Sequence, residues 1–137
     1  MSTGNDKPIA IIPAKQSSNR IKNKNIKFLN GKPLIVYTIE KCINSNIFSD
    51  IIINTDSKKI ISLAKKYNCL YFERPLSLSD NKTSVISVIN HMTKKLGLID
   101  KDYGILLATS PLRKKLDLIN AWNMYKEFKR PIVSVSK

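Results

Sequence analysis

The feature that most constrains this chain is the alternation of short, β-branched apolar runs with longer amphipathic stretches. Residues 9–13, 51–55, 70–72, 105–107 and 132–135 are strand-sized runs. Between them, residues 33–44, 57–67, 83–96 and 115–128 carry apolar side chains at helical spacing. In the second of these, Ile60, Ile61, Ala64 and Tyr67 share one face, Lys58, Lys59, Lys65 and Lys66 the other, and Ser57 stands where an N-cap is needed. Pro33 suits the opening turn of its helix, where a missing N–H costs nothing. Strand and helix in regular order predict βαβ crossovers and a mainly parallel sheet with helices on both faces, a three-layer Rossmann-like α/β fold. The 137 residues are expected to form a single domain, 1–137.

In such sheets ligands sit beyond the carboxyl ends of the strands, where strand order reverses. That rule directs attention to the loops after the first and fourth strands. The first, residues 14–25, is long and carries Lys15, Arg20, Lys22 and Lys24 among hydroxyls and amides. The other, residues 108–113, is short, polar and ends on Arg113. Lys15, Arg20 and Lys24 with Ser17 and Ser18 supply the cations and donors that a triphosphate requires. The first loop has no glycine, so it is neither a dinucleotide fingerprint nor a Walker A loop.

Charge supports an anionic partner: Lys and Arg total 24 against 10 Asp and Glu, a formal +14. The cations are spread evenly, with no stripe of interleaved aromatics, so a basic nucleic-acid-binding module on an α/β scaffold is the lesser alternative. No apolar run approaches the roughly 18 residues that cross a bilayer, and no signal-peptide core follows the polar amino end, so a cytoplasmic protein with no membrane partner is expected. Cys42 and Cys69 lie in apolar patterns without metal-like spacing and read as reduced core thiols.

Pro13-Ala14-Lys15-x-x-Ser18-x-Arg20 leading to Lys24-Asn25, then Gly31-Lys32-Pro33-Leu34, resembles the N-terminal signature of the CMP-sugar cytidylyltransferases, in particular the acylneuraminate cytidylyltransferases. Asn54-Thr55-Asp56, Arg74-Pro75, Thr109-Ser110-Pro111-Leu112-Arg113 and the closing run 132–135 follow in the family's order. The resemblance implies a nucleotidyltransferase fold and transfer of CMP from CTP to an acidic sugar, an N-acylneuraminate or related nonulosonic acid, with release of pyrophosphate, for surface polysaccharide synthesis. It implies magnesium as cofactor and a homodimer. It implies that Lys15, Arg20 and Lys24 act on the phosphates. Ala14, Ser18, Asn25, Arg74, Ser84, Thr109 and Ser110 would bind the nucleotide beside Lys15.

The chain departs from the family pattern at several points. Lys15 replaces the usual Arg, keeping charge but losing the planar fork. Leu107 stands where a Gln would bond the cytosine. The helix entry reads Asn81-Lys82-Thr83-Ser84-Val85, with a gap needed nearby. Family members continue beyond the fifth strand, where the resemblance puts the dimerisation arm, much of the sugar site and paired metal-binding aspartates. The chain is therefore expected to be the front part of such an enzyme, incomplete as a catalyst, or else the product of a damaged reading frame. No metal ligand set is expected in it, Asp56 being the carboxylate best placed near a strand end.

Plain structural roles are expected elsewhere. His91 is assigned no chemistry, and Trp122, with Leu118, Tyr125 and Phe128, reads as helix packing. Asp56 also suits a helix N-terminus, and Lys126, Lys129 and Arg130 a helix C-terminus. Arg113, Lys114 and Lys115 oppose the dipole at a helix start, which hints at a bound anion.

Overall fold

The computed structural model describes residues 7–16, 23–80, 82–108 and 114–132. In chain order the elements are β1 (Ile9–Pro13), β2 (Phe28–Leu29), β3 (Lys32–Pro33), α1 (Leu34–Ser45), β4 (Asp50–Thr55), α2 (Lys58–Lys66), β5 (Leu70–Glu73), α3 (Val85–Leu96), β6 (Tyr103–Ile105) and α4 (Lys115–Phe128). The main sheet runs β5-β4-β1-β6, and every pairing in it is parallel. Strand order therefore reverses at β1, between β4 on one side and β6 on the other.

The isoleucine runs explain why these segments are central strands. Side chains alternate across the sheet, and both faces are covered, so both sets must be apolar. Ala10 and Ile12 of β1 and Ile53 of β4 pack with Ile35, Val36 and Ile39 of α1 and Ile60 and Ala64 of α2. Ile9, Ile11 and Ile52 face the other way, against Ile89 and Met92 of α3. Each fully buried isoleucine contributes about 1.5–3 kcal/mol of transfer free energy, so these layers, more than helix propensity, hold the fold. α4 lies against α1, reaches the first layer through Leu118, and buries no residue completely. Trp122 stacks on Tyr125 within that helix, their rings 5.7 Å apart. Cys42 is buried in α1 and Cys69 is half-buried, its thiol pushed up by burial; neither forms a disulfide.

The predicted α/β architecture is correct, with boundary corrections. α2 and α4 occupy their expected spans, and Ser57 caps α2 by accepting from the Ile60 N–H at 3.3 Å. The fourth main-sheet strand is 103–105 and not 105–107, because pairing with β1 sets Ile9 opposite Tyr103. The Leu106 N–H still bonds to the Ile11 carbonyl at 2.9 Å, and Leu107 then leaves the sheet. α3 begins at Val85, two residues later than expected, since Thr83 is held by Asp80 and Ser84 takes the cap. Pro33 closes β3 and caps α1 instead of opening its first turn. Of the expected strand 132–135, Ile132 has no strand pairing and the rest lies outside the described residues.

Candidate nucleotide site

A cleft of about 210 Å³ opens at the carboxyl edge of the sheet, beside the reversal at β1. Pro13 and Lys15 come from the end of β1, and Lys24 and Asn25 from a single 3-10 turn at Lys24–Ile26. Arg74 follows β5, Asp80 and Thr83 precede α3, and Leu107 and Ala108 follow β6. Val85 and Val88 of α3 complete an apolar wall. Three cations, an amide, a carboxylate and a hydroxyl thus share one cleft with apolar side chains, a suitable lining for a ligand that carries both anionic and apolar parts.

The loop after β1 is held at both ends. Ala14 donates its N–H to the Asn54 carbonyl at 2.8 Å and is itself buried in the core. The Gln16 N–H bonds to Asp56 Oδ1 at 2.7 Å. Asn23, in the left-handed conformation, donates to the Gln16 carbonyl at 2.8 Å, and Asn25 Nδ2 donates to the Lys15 carbonyl at 3.0 Å. These bonds hold residues 14–16 and 23–25 together beside the cleft. Lys15 reaches across it, Nζ donating to the Asp80 carbonyl at 3.3 Å.

Arg74 is the buried cation of the site. Its Nε donates to Asn54 Oδ1 at 2.8 Å and its Nη2 to the Asn54 carbonyl at 3.4 Å. Burial lowers its pKa and the Asp56 carboxylate opposes that shift, while the guanidinium stays charged. Asp80 gathers three donors on one oxygen: the Thr83 hydroxyl at 2.6 Å, the Thr83 N–H at 2.7 Å and the Lys82 N–H at 3.1 Å. The Thr83 hydroxyl bond first, then the backbone bonds, hold its carboxyl below the usual range despite some desolvation. Ser84 caps α3, accepting from the Ser87 N–H at 3.1 Å.

The structure thus brings Lys15, Lys24, Asn25 and Arg74 into one cleft. Ala14 is buried in the core and Ser84 stands at the α3 cap, both outside the lining. Ser18, Arg20, Thr109 and Ser110 lie outside the described residues. The sequence shows Asn54 within a family motif and Thr83 at a helix entry, but no site role was expected for Asn54, for Asp80 or for the Thr83 side chain. The signal for the last two was present: an Asp three residues before a Thr, just ahead of an apolar helical run, is an Asx-type cap. Asp56 ties down the loop, and His91 sits edge-on to Phe72 with centroids 5.7 Å apart, away from the cleft lining.

The described residues contain no group of three or more Asp, Glu, His or Cys side chains able to hold a metal ion. The cleft's carboxylate, Asp80, is already committed to its own loop. These residues do not fit a resident magnesium ion by themselves. Among the described residues no helix is long and apolar enough to cross a membrane.

A family profile described as cytidylyltransferase matches residues 9–133. The chain belongs to the cytidylyltransferase family. An N-acylneuraminate cytidylyltransferase of Escherichia coli is 35% identical over 136 residues, covering 96% of this chain and 32% of that protein. A pseudaminic acid cytidylyltransferase of Campylobacter jejuni is 37% identical, over 87% of this chain and 53% of its own length. The CMP-N,N'-diacetyllegionaminic acid synthase of Legionella pneumophila is 33% identical, over 93% and 57%. The chain thus spans from about a third to just over half of these cytidylyltransferases. Among solved structures, a CMP:2-keto-3-deoxy-manno-octonic acid synthetase complexed with CTP superposes with a TM-score of 0.76 at 18% identity, covering 90% of this chain and 49% of that one. That likeness establishes the shared nucleotidyltransferase fold.

Proposed function

We propose that this chain forms the CTP-binding part of a nucleotidyltransferase that moves CMP from CTP onto an acidic sugar, an N-acylneuraminate or related nonulosonic acid. The observation that carries this reading is the cleft itself: Lys15, Lys24, Asn25 and a buried Arg74 converge on an apolar slot at the strand reversal. The names of the cytidylyltransferase relatives support the choice of nucleotide and sugar class.

In the reaction, an oxygen of the sugar hydroxyl bonds to the α-phosphorus as the bond to the pyrophosphate oxygen breaks. The hydroxyl proton passes to solvent and pyrophosphate leaves. Such a displacement needs positioning and charge compensation more than covalent help. Lys15 and Lys24 would offset the phosphate charge, joined by Arg20 and Ser18. Arg74, Asn25 and Ser84 would hold the nucleoside end with Thr109 and Ser110, next to Ala14 in the chain after β1. Magnesium, which the family resemblance implies, would help to offset the triphosphate's charge; the described residues supply no ligand set for it. A homodimer working in the cytoplasm on sugars for surface polysaccharide completes the reading.

Thermal-shift titration with CTP, ATP and a random DNA duplex at two salt concentrations tests it. A rise selective for CTP supports the reading; stabilisation by DNA with a steep salt slope, and none by CTP, would refute it.

A further inference from the structure

Asn54 is the anomaly of β4. It is fully buried, follows three isoleucines in the strand, and sits in register between Pro13 of β1 and Phe72 of β5. An amide there is costly unless its polar atoms are matched. Only the oxygen is: Oδ1 accepts from Arg74 Nε at 2.8 Å, whereas Nδ2 has no hydrogen-bond partner among the described residues. Flipping the amide would set Nδ2 against the Nε–H, donor against donor, so Arg74 fixes its orientation. The main-chain carbonyl of the same residue takes a second bond, from Nη2. One residue therefore grips the guanidinium through its Nε and Nη2 donors, and the remaining N–H groups belong to a side chain that lines the cleft.

We propose that Asn54 is a positioning residue for nucleotide binding, locking the Arg74 guanidinium so that its remaining donors are set toward the ligand before the ligand arrives. An arginine ordered in advance loses little rotamer freedom on binding, which is where preorganisation gains affinity. A leucine at 54 would fill the same space and remove the grip of the side chain. The inference rests on the cleft being the CTP site.

The test is calorimetric titration of CTP into the whole chain for the wild type, Asn54→Leu, Asn54→Asp, Arg74→Ala and the double variant Asn54→Leu with Arg74→Ala. Denaturation midpoints are followed in parallel. Asn54→Leu should weaken CTP binding by about tenfold, the value of one charge-assisted hydrogen bond. Asn54→Asp, which keeps the acceptor, should recover most of the affinity. In the Arg74→Ala background Asn54→Leu should change nothing further. A second readout needs no ligand: the Arg74 Nε–H should exchange slowly with water in the wild type and faster in Asn54→Leu. Should the leucine variant not fold, Asn54→Ser, too short to reach Nε, takes its place. Equal losses in both backgrounds, or Arg74-dependent binding indifferent to residue 54, would overturn the inference while leaving the CTP site standing. A wild type without affinity for CTP would overturn both.

Discussion

The Gln16 N–H and the Asp56 carboxylate meet at 2.7 Å, joining the loop after β1 to the segment after β4. The two follow neighbouring strand ends, so this hydrogen bond helps to set where Lys15 stands at the cleft. Asp56 also opposes the burial-driven drop in the Arg74 pKa, so the same carboxylate acts on the loop that carries Lys15 and on Arg74.

Asp56→Ala should therefore affect the loop more than the fold. Losing one charge-assisted bond costs about 1 kcal/mol of stability, readable in a urea titration, while CTP affinity should fall severalfold. Asp56→Asn keeps an acceptor for the Gln16 N–H and should recover most of the stability. Equal damage from both variants would show that charge, and not the loop bond, is what matters there.

Asp80 predicts an acid limb. Its carboxyl is depressed chiefly by the Thr83 hydroxyl bond, so the folded state favours the ionised form. The corresponding stability is present above the unfolded pKa, near ~3.9, and disappears as pH falls through the depressed folded value. Melting temperatures of the wild type and Asp80→Asn should differ at neutral pH and converge in acid. A constant difference across the range would contradict this assignment.

Much of the fold was legible because isoleucine runs buried on two faces and the lysine-sided α2 leave little choice of element. The short hairpin of β2 and β3 was not read, since two-residue strands carry no periodicity. Its turn was nonetheless announced by Asn30-Gly31, both at positive φ, a favoured pair for tight hairpins. β6 was misplaced because its apolar run continues past the point where pairing with β1 ends. In the site, cations could be found by type and loop position. Asn54 could not, because its role depends on Arg74, twenty residues away in sequence and adjacent only once β4 and β5 pair.

Tyr125 offers a test of how α4 is attached. Its hydroxyl donates to Asp102 Oδ1 at 2.7 Å, linking the helix to the segment before β6. That bond raises the phenol's pKa, so its stabilisation is complete below the unfolded value near ~10 and is lost as pH rises through the folded one. Tyr125→Phe should cost about 0.5 kcal/mol at neutral pH, the low end for an exposed bond, and nothing at strongly alkaline pH. A cost that persists in alkali would assign the effect to packing.

The central claim is that the cleft at the β1 reversal is the nucleotide site, and amide chemical-shift mapping with CTP tests it most directly. Titration should move the signals of Lys15, Asn25, Thr83 and Leu107, with little change around Trp122 on the opposite flank, and Arg74→Ala should weaken the response about tenfold or more. Shifts centred on Trp122, or none in the cleft at millimolar CTP, would contradict it.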